Sequence, residues 1–369
     1  MKTKTHLNIF ISVGVLFALT RLLAADTIVT FDAPGAGTAS GQGTVPSSIT
    51  PGGAIAGYYA DAGNVHHGFF LSALGGTFTS FDAPGAGTVG PFQFRGTFAF
   101  GINPQGAIAG YYGDTSAVPH GYVRDKDGTI TTFDVPGAAR TFAYNINPAG
   151  SIAGHYRDAF KVLHGYVRAP DGTITTFDAP GAGTGVRQGT FVSVFGTINP
   201  DGAITGYYLD ASNVFHGYMR DANGTITTFD APGAGTGPFQ GTIAQGINPA
   251  GVIAGNHIDA SNVVHGFVRA NDGTITTFDA PGAGMGAGQG TEVQAINPSG
   301  AITGNSTDSN NANHGFVRAS DGTFTTFDPP GSGTGPGQGT IPTWINPAGT
   351  IIGLSIDSSG VGHGFLRTP

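Results

Sequence analysis

Seven recurrences of a Phe-Asp pair, seven of a His-Gly pair and a single glutamate in 369 residues predict an all-β fold. The period of the recurrence narrows this to a seven-bladed β-propeller of four-stranded antiparallel blades, closed by the N-terminal strand pairing into the last blade. Phe-Asp stands at Phe31-Asp32, Phe81-Asp82, Phe133-Asp134, Phe177-Asp178, Phe229-Asp230, Phe278-Asp279 and Phe327-Asp328. His-Gly begins at His67, His120, His164, His216, His265, His314 and His363, with spacings of 53, 44, 52, 49, 49 and 49. A four-stranded blade takes about 40–50 residues. Composition agrees. Gly (64) and Pro (23) supply turns, and 39% hydrophobic residues supply a core that a disordered chain would lack. Only 10% of residues are charged, too few to coat helices, whereas Thr, Val, Ile, Phe and Tyr suit pleated strands.

Residues 1–25 read as a signal peptide. Lys2 and Lys4 give a basic start, Leu7 to Thr20 is an apolar run, and the small residues Ala24 and Ala25 follow. The run is short for a membrane span, which favours a cleaved leader and a secreted, extracellular or periplasmic protein. Arg21 and Leu23 are unusual near a cleavage point, so an uncleaved anchor is the alternative. Residues 26–369 then form a single domain, with no membrane span in the mature chain.

The unit from Gly241 to Gly284 shows the anatomy of the repeat. Thr242 to Ile247 is the first strand, and Asn248-Pro249-Ala250-Gly251 turns it. Val252 to Ile258 is the second strand, followed by the turn Asp259-Ala260-Ser261-Asn262. Val263 to Arg269 is the third, and Asn271-Asp272-Gly273 makes a hairpin into Thr274–Phe278. A glycine-rich linker leads to the next unit. The ends are offset. Thr27–Phe31 is a fourth strand with nothing before it, and Val361–Arg367 is a third strand with nothing after it. Pairing the two completes the last unit and protects its edge. Linkers and Asp-Ala-Ser-Asn turns share one face, the expected binding surface. Val89–Gly96 and Gly185–Gly189 are its more variable loops, and Val135–Thr141 is its shortest linker.

Several function classes are excluded or disfavoured. Without Lys2, Lys4 and Arg21, 12 basic residues face 23 acidic ones, so nucleic acid is a poor partner. There is no cysteine, hence no disulfide, thiolate chemistry or Cys-bound zinc. The glycine-rich linkers lack the Lys-Ser/Thr and the helix of a phosphate loop and read as flexible connections. No serine sits in a nucleophile elbow.

The candidate residues are mostly repeated, which favours structure over catalysis. His67, His120, His164, His216, His265, His314 and His363 are expected to form a buried network with the second-strand Asp residues. Arg124, Arg168, Arg220, Arg269, Arg318 and Arg367 are expected to join them. Asp61 with Asn64, Asp210 with Asn213 and Asp259 with Asn262 offer oxygens that suit Ca²⁺, although the same residues are ordinary turn formers. No other cofactor is implied. Glu292 and Trp344 are the non-repeating residues on inner strands, and Trp344 could stack on a sugar ring. With Gln240, Gln289 and Gln338 they make the candidate ligand-binding set.

Ile247-Asn248-Pro249-x-Gly251, Ile253-Ala254-Gly255 and His265-Gly266-Phe267 with Arg269 carry a resemblance. The chain resembles bacterial extracellular repeat proteins named for a His-Ala-Phe tripeptide, the HAF repeats, over all seven units. Gly replaces Ala in the tripeptide. The resemblance implies secretion and a propeller-like repeat, and no established activity. A non-enzymatic binding or scaffold module for a glycan, a cell-surface polymer or an extracellular protein is therefore the first expectation. A polysaccharide hydrolase or lyase at the channel mouth and a calcium-stabilised structural module are the alternatives.

Overall fold

The computed structural model describes residues 26–88 and 95–369. The expected leader, residues 1–25, lies outside the described residues, as does most of the Val89–Gly96 linker. Among the described residues there are 28 strands and no helix.

Strand β1 is Thr27–Phe31. The first unit is β2 (Gly43–Ile49), β3 (Ile55–Ala60), β4 (His66–Leu71) and β5 (Phe78–Phe81). The second is β6 (Gly96–Ile102), β7 (Ile108–Gly113), β8 (Pro119–Arg124) and β9 (Ile130–Phe133). The third is β10 (Arg140–Ile146), β11 (Ile152–Arg157), β12 (Leu163–Arg168) and β13 (Ile174–Phe177). The fourth is β14 (Gly189–Val192), β15 (Ile204–Leu209), β16 (Phe215–Arg220) and β17 (Ile226–Phe229). The fifth is β18 (Gly241–Ile247), β19 (Ile253–Ile258), β20 (Val264–Arg269) and β21 (Ile275–Phe278). The sixth is β22 (Gly290–Ile296), β23 (Ile302–Thr307), β24 (Asn313–Arg318) and β25 (Phe324–Phe327). Last come β26 (Gly339–Ile345), β27 (Ile351–Ile356) and β28 (Gly362–Thr368). Strands within a unit are antiparallel neighbours, as in β18–β19, β19–β20 and β20–β21. The fourth partner of the last three strands is β1, paired with β28 from Thr27↔Thr368 to Phe31↔Gly364.

Units meet through one parallel bridge from a third strand to the next first strand. These bridges join β4–β6, β12–β14, β16–β18, β20–β22, β24–β26 and β28–β2. At each, the leading residue of the third strand donates its N–H to the linker, as Val264 does to the Gln289 carbonyl at 2.9 Å. The second unit puts Pro119 at that position, and proline has no N–H. The linker after it is also the short one. No bridge joins β8 to β10, so the hydrogen-bonded sheet does not close on itself, a correction to the expected closure. The junction is held by packing instead, with Ala109 of β7 against Ala143 and Ile146 of β10.

The core lies between units. Ala244, Ile247, Ile253 and Phe267 of the fifth are buried and pack against Met219 and Phe229 of the fourth. The glycine of His-Gly-Phe follows from this packing. A Cβ on Gly68 would stand 2.6 Å from the Phe81 ring, and the corresponding glycine in every unit faces the ring of its Phe-Asp pair. Alanine there would clash.

A buried threonine begins each first strand and fixes the entering linker. Thr242 is fully buried, and its Oγ1 accepts the Ala231 N–H at 2.8 Å. Thr44, Thr97, Thr190 and Thr291 repeat the contact. Replacing Thr242 with Val keeps the shape but strands a buried N–H, so Thr242→Val is expected to lose about 1–3 kcal/mol in urea unfolding. Thr242→Ser should recover most of it. An unchanged midpoint for the Val variant would show that Ala231 finds another acceptor.

The Asn-Pro turns surround the opposite end of the channel. Asn147, Asn199, Asn248 and Asn297 each donate to the backbone carbonyl of the next unit's asparagine, at 3.2–3.4 Å. Asn346 donates to Thr50, which carries the belt back to the first unit.

Candidate functional site

The repeated polar residues form clamps on the rim. His265 sets Nδ1 at 2.8 Å from Asp279 and Nε2 at 3.6 Å from Asp259. His67, His120, His164, His216, His314 and His363 are held in the same way. The sequence reading paired His with the second-strand Asp correctly but missed the Asp of the Phe-Asp pair. It also placed the network in the interior, whereas the clamps are partly exposed. The arginines are not members. Arg124, Arg168, Arg220, Arg269, Arg318 and Arg367 lie over the Phe of the preceding unit at 4.8–5.0 Å, a cation–π contact that ties neighbouring units.

The calcium candidates have committed oxygens. Asp259 Oδ1 accepts the N–H groups of Ser261 and Val263, each at 2.8 Å. Asp61 and Asp210 do the same in their own turns. Asn64, Asn213 and Asn262 accept from Gln42, Gln188 and Gln240. Among the described residues no three His, Asp or Glu side chains stand together as a metal site. The glutamines face inward too. Gln240, Gln289 and Gln338 accept the N–H groups of Gly237, Gly286 and Gly335 and donate to Asn262, Asn311 and the Ser358 carbonyl. These three linkers are therefore pinned to the turns that follow the neighbouring second strands.

Glu292 and Trp344 do not share a site. Trp344 lines a cavity of about 210 Å³ ringed by the Asn-Pro turns. Glu292 stands near the linker end of β22, where Asn305 Nδ2 donates to it at 3.4 Å. Water reaches its side chain, but the crowding walls thin its hydration and raise its pKa, against the hydrogen bonds from Asn305 and Gln294.

The inner face is asymmetric around the axis. The third residues of the first strands and their cross-strand partners are Phe98 with Tyr111, Phe142 with His155 and Phe191 with Tyr207 in units two to four. In the sixth unit the same pair is Glu292 with Asn305. The fourth unit also carries extra residues after β14. Asn145 Nδ2 donates to the Val194 carbonyl at 2.7 Å, and Val194 and Phe195 pack against Phe98, Phe100, Tyr111 and Tyr144. This insertion, not the Gly185–Gly189 linker, lengthens the unit.

The main candidate site is an open cavity of about 460 Å³ on the linker face of units three and four. Its apolar wall is Phe142, Phe191, Tyr207, Phe215 and Phe239, and its basic side is Arg140, Arg157 and Arg187. Such a volume falls in the range of about 300–1,000 Å³ for ligand pockets. His155 sits in the wall. Its Nδ1 lies 3.3 Å from the Val192 carbonyl and its Nε2 3.4 Å from the Tyr144 hydroxyl, a pattern that fits a neutral ring. Burial drops its pKa to about 4.

Backbone strain marks the same place. Arg187 (φ 66°) and Phe239 (φ 62°) occupy the left-handed position that is Gly288 (φ 78°) and Gly337 (φ 72°) in later units. Lys161 (φ 70°) stands where other turns have Asn213 (φ 63°) and Asn262 (φ 63°). Arg187 N–H bonds the Lys161 carbonyl at 2.9 Å. Bulky residues in this region are disfavoured, and held strain concentrates at functional sites. Among the described residues four side chains other than Asn and Gly have positive φ; Arg187 and Phe239 line this pocket, and Lys161 is bonded through its backbone to Arg187. The sequence reading missed it because it weighed repeated residues and inner-strand exceptions. The readable signal was a side chain in place of a repeated turn glycine.

No protein-family model matches the chain, and no curated protein matches it. Solved structures do. A streptogramin B lyase structure is 15% identical over 93% of this chain and 98% of that one, with a TM-score of 0.59. The β-propeller domain of the Trilobed protease from Pyrococcus furiosus, described as having an open velcro topology, is 10% identical over 87% and 93%, with a TM-score of 0.54. At these identities the likeness is one of fold, and the chain has β-propeller character.

Proposed function

We propose that the chain is a secreted, seven-bladed member of the HAF-repeat type that acts as a non-enzymatic binding module through its linker face. Six four-stranded units, with β26–β28 completed by β1, support the count of seven blades. The observation that carries the binding role is the pocket of units three and four. It breaks the repeat, gathers aromatic and guanidinium groups, and holds Arg187 and Phe239 on a backbone made for glycine. A glycosidase reading has less support. That chemistry uses two carboxylates across one bond, and the channel mouth offers Glu292, the chain's one glutamate. The repeated aspartates are held in clamps and turns.

Arg187→Gly relaxes the backbone and removes the side chain. It is expected to raise stability by about 0.5–1 kcal/mol while lowering retention on extracellular glycans in an array. Melting curves and array signals read the two effects separately. Wild-type protein that ignores every glycan and every extracellular extract would remove the proposed role.

A further inference from the structure

We propose that the pocket of units three and four takes an acidic saccharide, a chain of sugar rings bearing carboxylate or sulfate groups. This rests on the binding role proposed above and adds the ligand's chemistry.

The first argument is where the positive charge goes. Of the 12 basic residues beyond the expected leader, six are the third-strand arginines stacked on phenylalanines. The other six are Arg95, Lys126, Arg140, Arg157, Lys161 and Arg187; three of them, Arg140, Arg157 and Arg187, line this one pocket, and the backbone of Lys161 is bonded to that of Arg187. Arg140 and Arg157 are direct cross-strand partners. Like charges placed opposite each other on a sheet repel, and a bound anion relieves the repulsion. The nearest repeated carboxylates are engaged elsewhere, Asp158 with His164 and Val162 and Asp210 with His216 and Val214. Guanidinium forks match carboxylate and sulfate in two-point hydrogen bonds.

The second argument is the wall. Phe142, Phe191, Tyr207 and Phe215 give flat apolar surface of the kind that covers the face of a sugar ring, and Phe239 is 61% exposed at the rim. A bare inorganic anion would have no use for that wall, and a neutral sugar would have none for the arginines. The third argument is extent. Phe160 is 80% exposed beside Lys161, and Val186 is 63% exposed beside Arg187. Apolar and basic groups thus continue past the cavity, as a polymer requires. A nucleic acid also carries rings and anions, and binding of a single-stranded oligonucleotide but of no saccharide would overturn the ligand class.

The test is calorimetry on the full chain with an oligogalacturonate, its methyl ester and a neutral oligosaccharide, at about 50 and about 300 mM salt. The acid form is expected to bind at least about tenfold tighter than the ester and to weaken with salt. Arg157→Gln and Arg187→Gln should each lower acid affinity about tenfold and shrink the preference for acid over ester. Arg187→Gly, which suits the backbone, serves if the Gln variant melts early. Equal binding of acid and ester, with Phe239→Ala weakening both, would overturn the charge assignment and leave the binding role standing. Binding of an acidic peptide but of no saccharide would overturn the ligand class. No binding by any probe or extracellular extract would remove the role itself.

Discussion

A chain lacking residues 26–33 is expected to unfold at markedly lower urea concentration and to self-associate. Those residues supply β1, three separate ties to the far end of the sequence and one to the first unit. Ile28 packs against the cluster around Phe365, and Asp26 pairs with Arg367. Asp32 bonds His363 at 3.0 Å, and the buried Ala33 donates to Thr44. Uncovering Phe365 and Leu366, each worth about 1.5–3 kcal/mol when buried, sets the loss at roughly 3–6 kcal/mol. The bared edge of β28 then offers unpaired backbone groups to another molecule. Urea midpoints and light scattering measure both effects. A synthetic peptide of residues 26–33 should restore the midpoint when added in excess. An unaltered midpoint in the shortened chain would mean that β1 adds nothing to the fold.

Acidification from pH 7 to pH 5 is expected to destabilise the protein. Burial lowers His66, His155 and His257 to about 4 in the fold, whereas an unfolded histidine titrates near about 6.5. As pH falls below that value the unfolded chain takes up protons that these three cannot, so stability drops. The rim clamps oppose this. His67 and His314 are raised, chiefly by hydrogen bonds to Asp82 and Asp328, and His363 is raised by Asp32 and Asp357 against its desolvation. Their stabilisation is complete below about pH 6.5 and is lost as pH rises through their folded values. The buried histidines carry the larger shifts, and the clamps are screened by solvent. The net is therefore a loss of stability toward pH 5. Thermal melts across this interval check the sign, and His155→Gln should flatten the slope. A melting temperature that rises steadily toward pH 5 would show that the clamps dominate instead.

The architecture was legible because its determinants are repeated. Asn248-Pro249-Ala250-Gly251 and Asn271-Asp272-Gly273 announce their turns, and Thr27–Phe31 announces a strand without neighbours. The clamp partner was harder to see. Asp279 is fourteen positions from His265, and a Phe-Asp pair reads first as strand-end punctuation. The arginines were misplaced because a charged side chain on a buried strand suggests a carboxylate partner, while Arg269 stacks on Phe229 in the neighbouring unit. The pocket needed two facts that a single unit does not display. One is that the turn position held by Gly288 and Gly337 demands a left-handed backbone. The other is that Arg140 and Arg157, seventeen residues apart, face each other across two strands.

Pro119 sets one junction apart from the others, since proline has no N–H to donate across it. Six junctions share a backbone bridge, whereas β7 meets β10 through the side chains of Ala109, Ala143 and Ile146. The pocket borders the unit on the far side of that junction, since β10 contributes Arg140 and Phe142 to it. A ligand in the pocket therefore sits beside the one junction among the described units that no backbone bridge fixes.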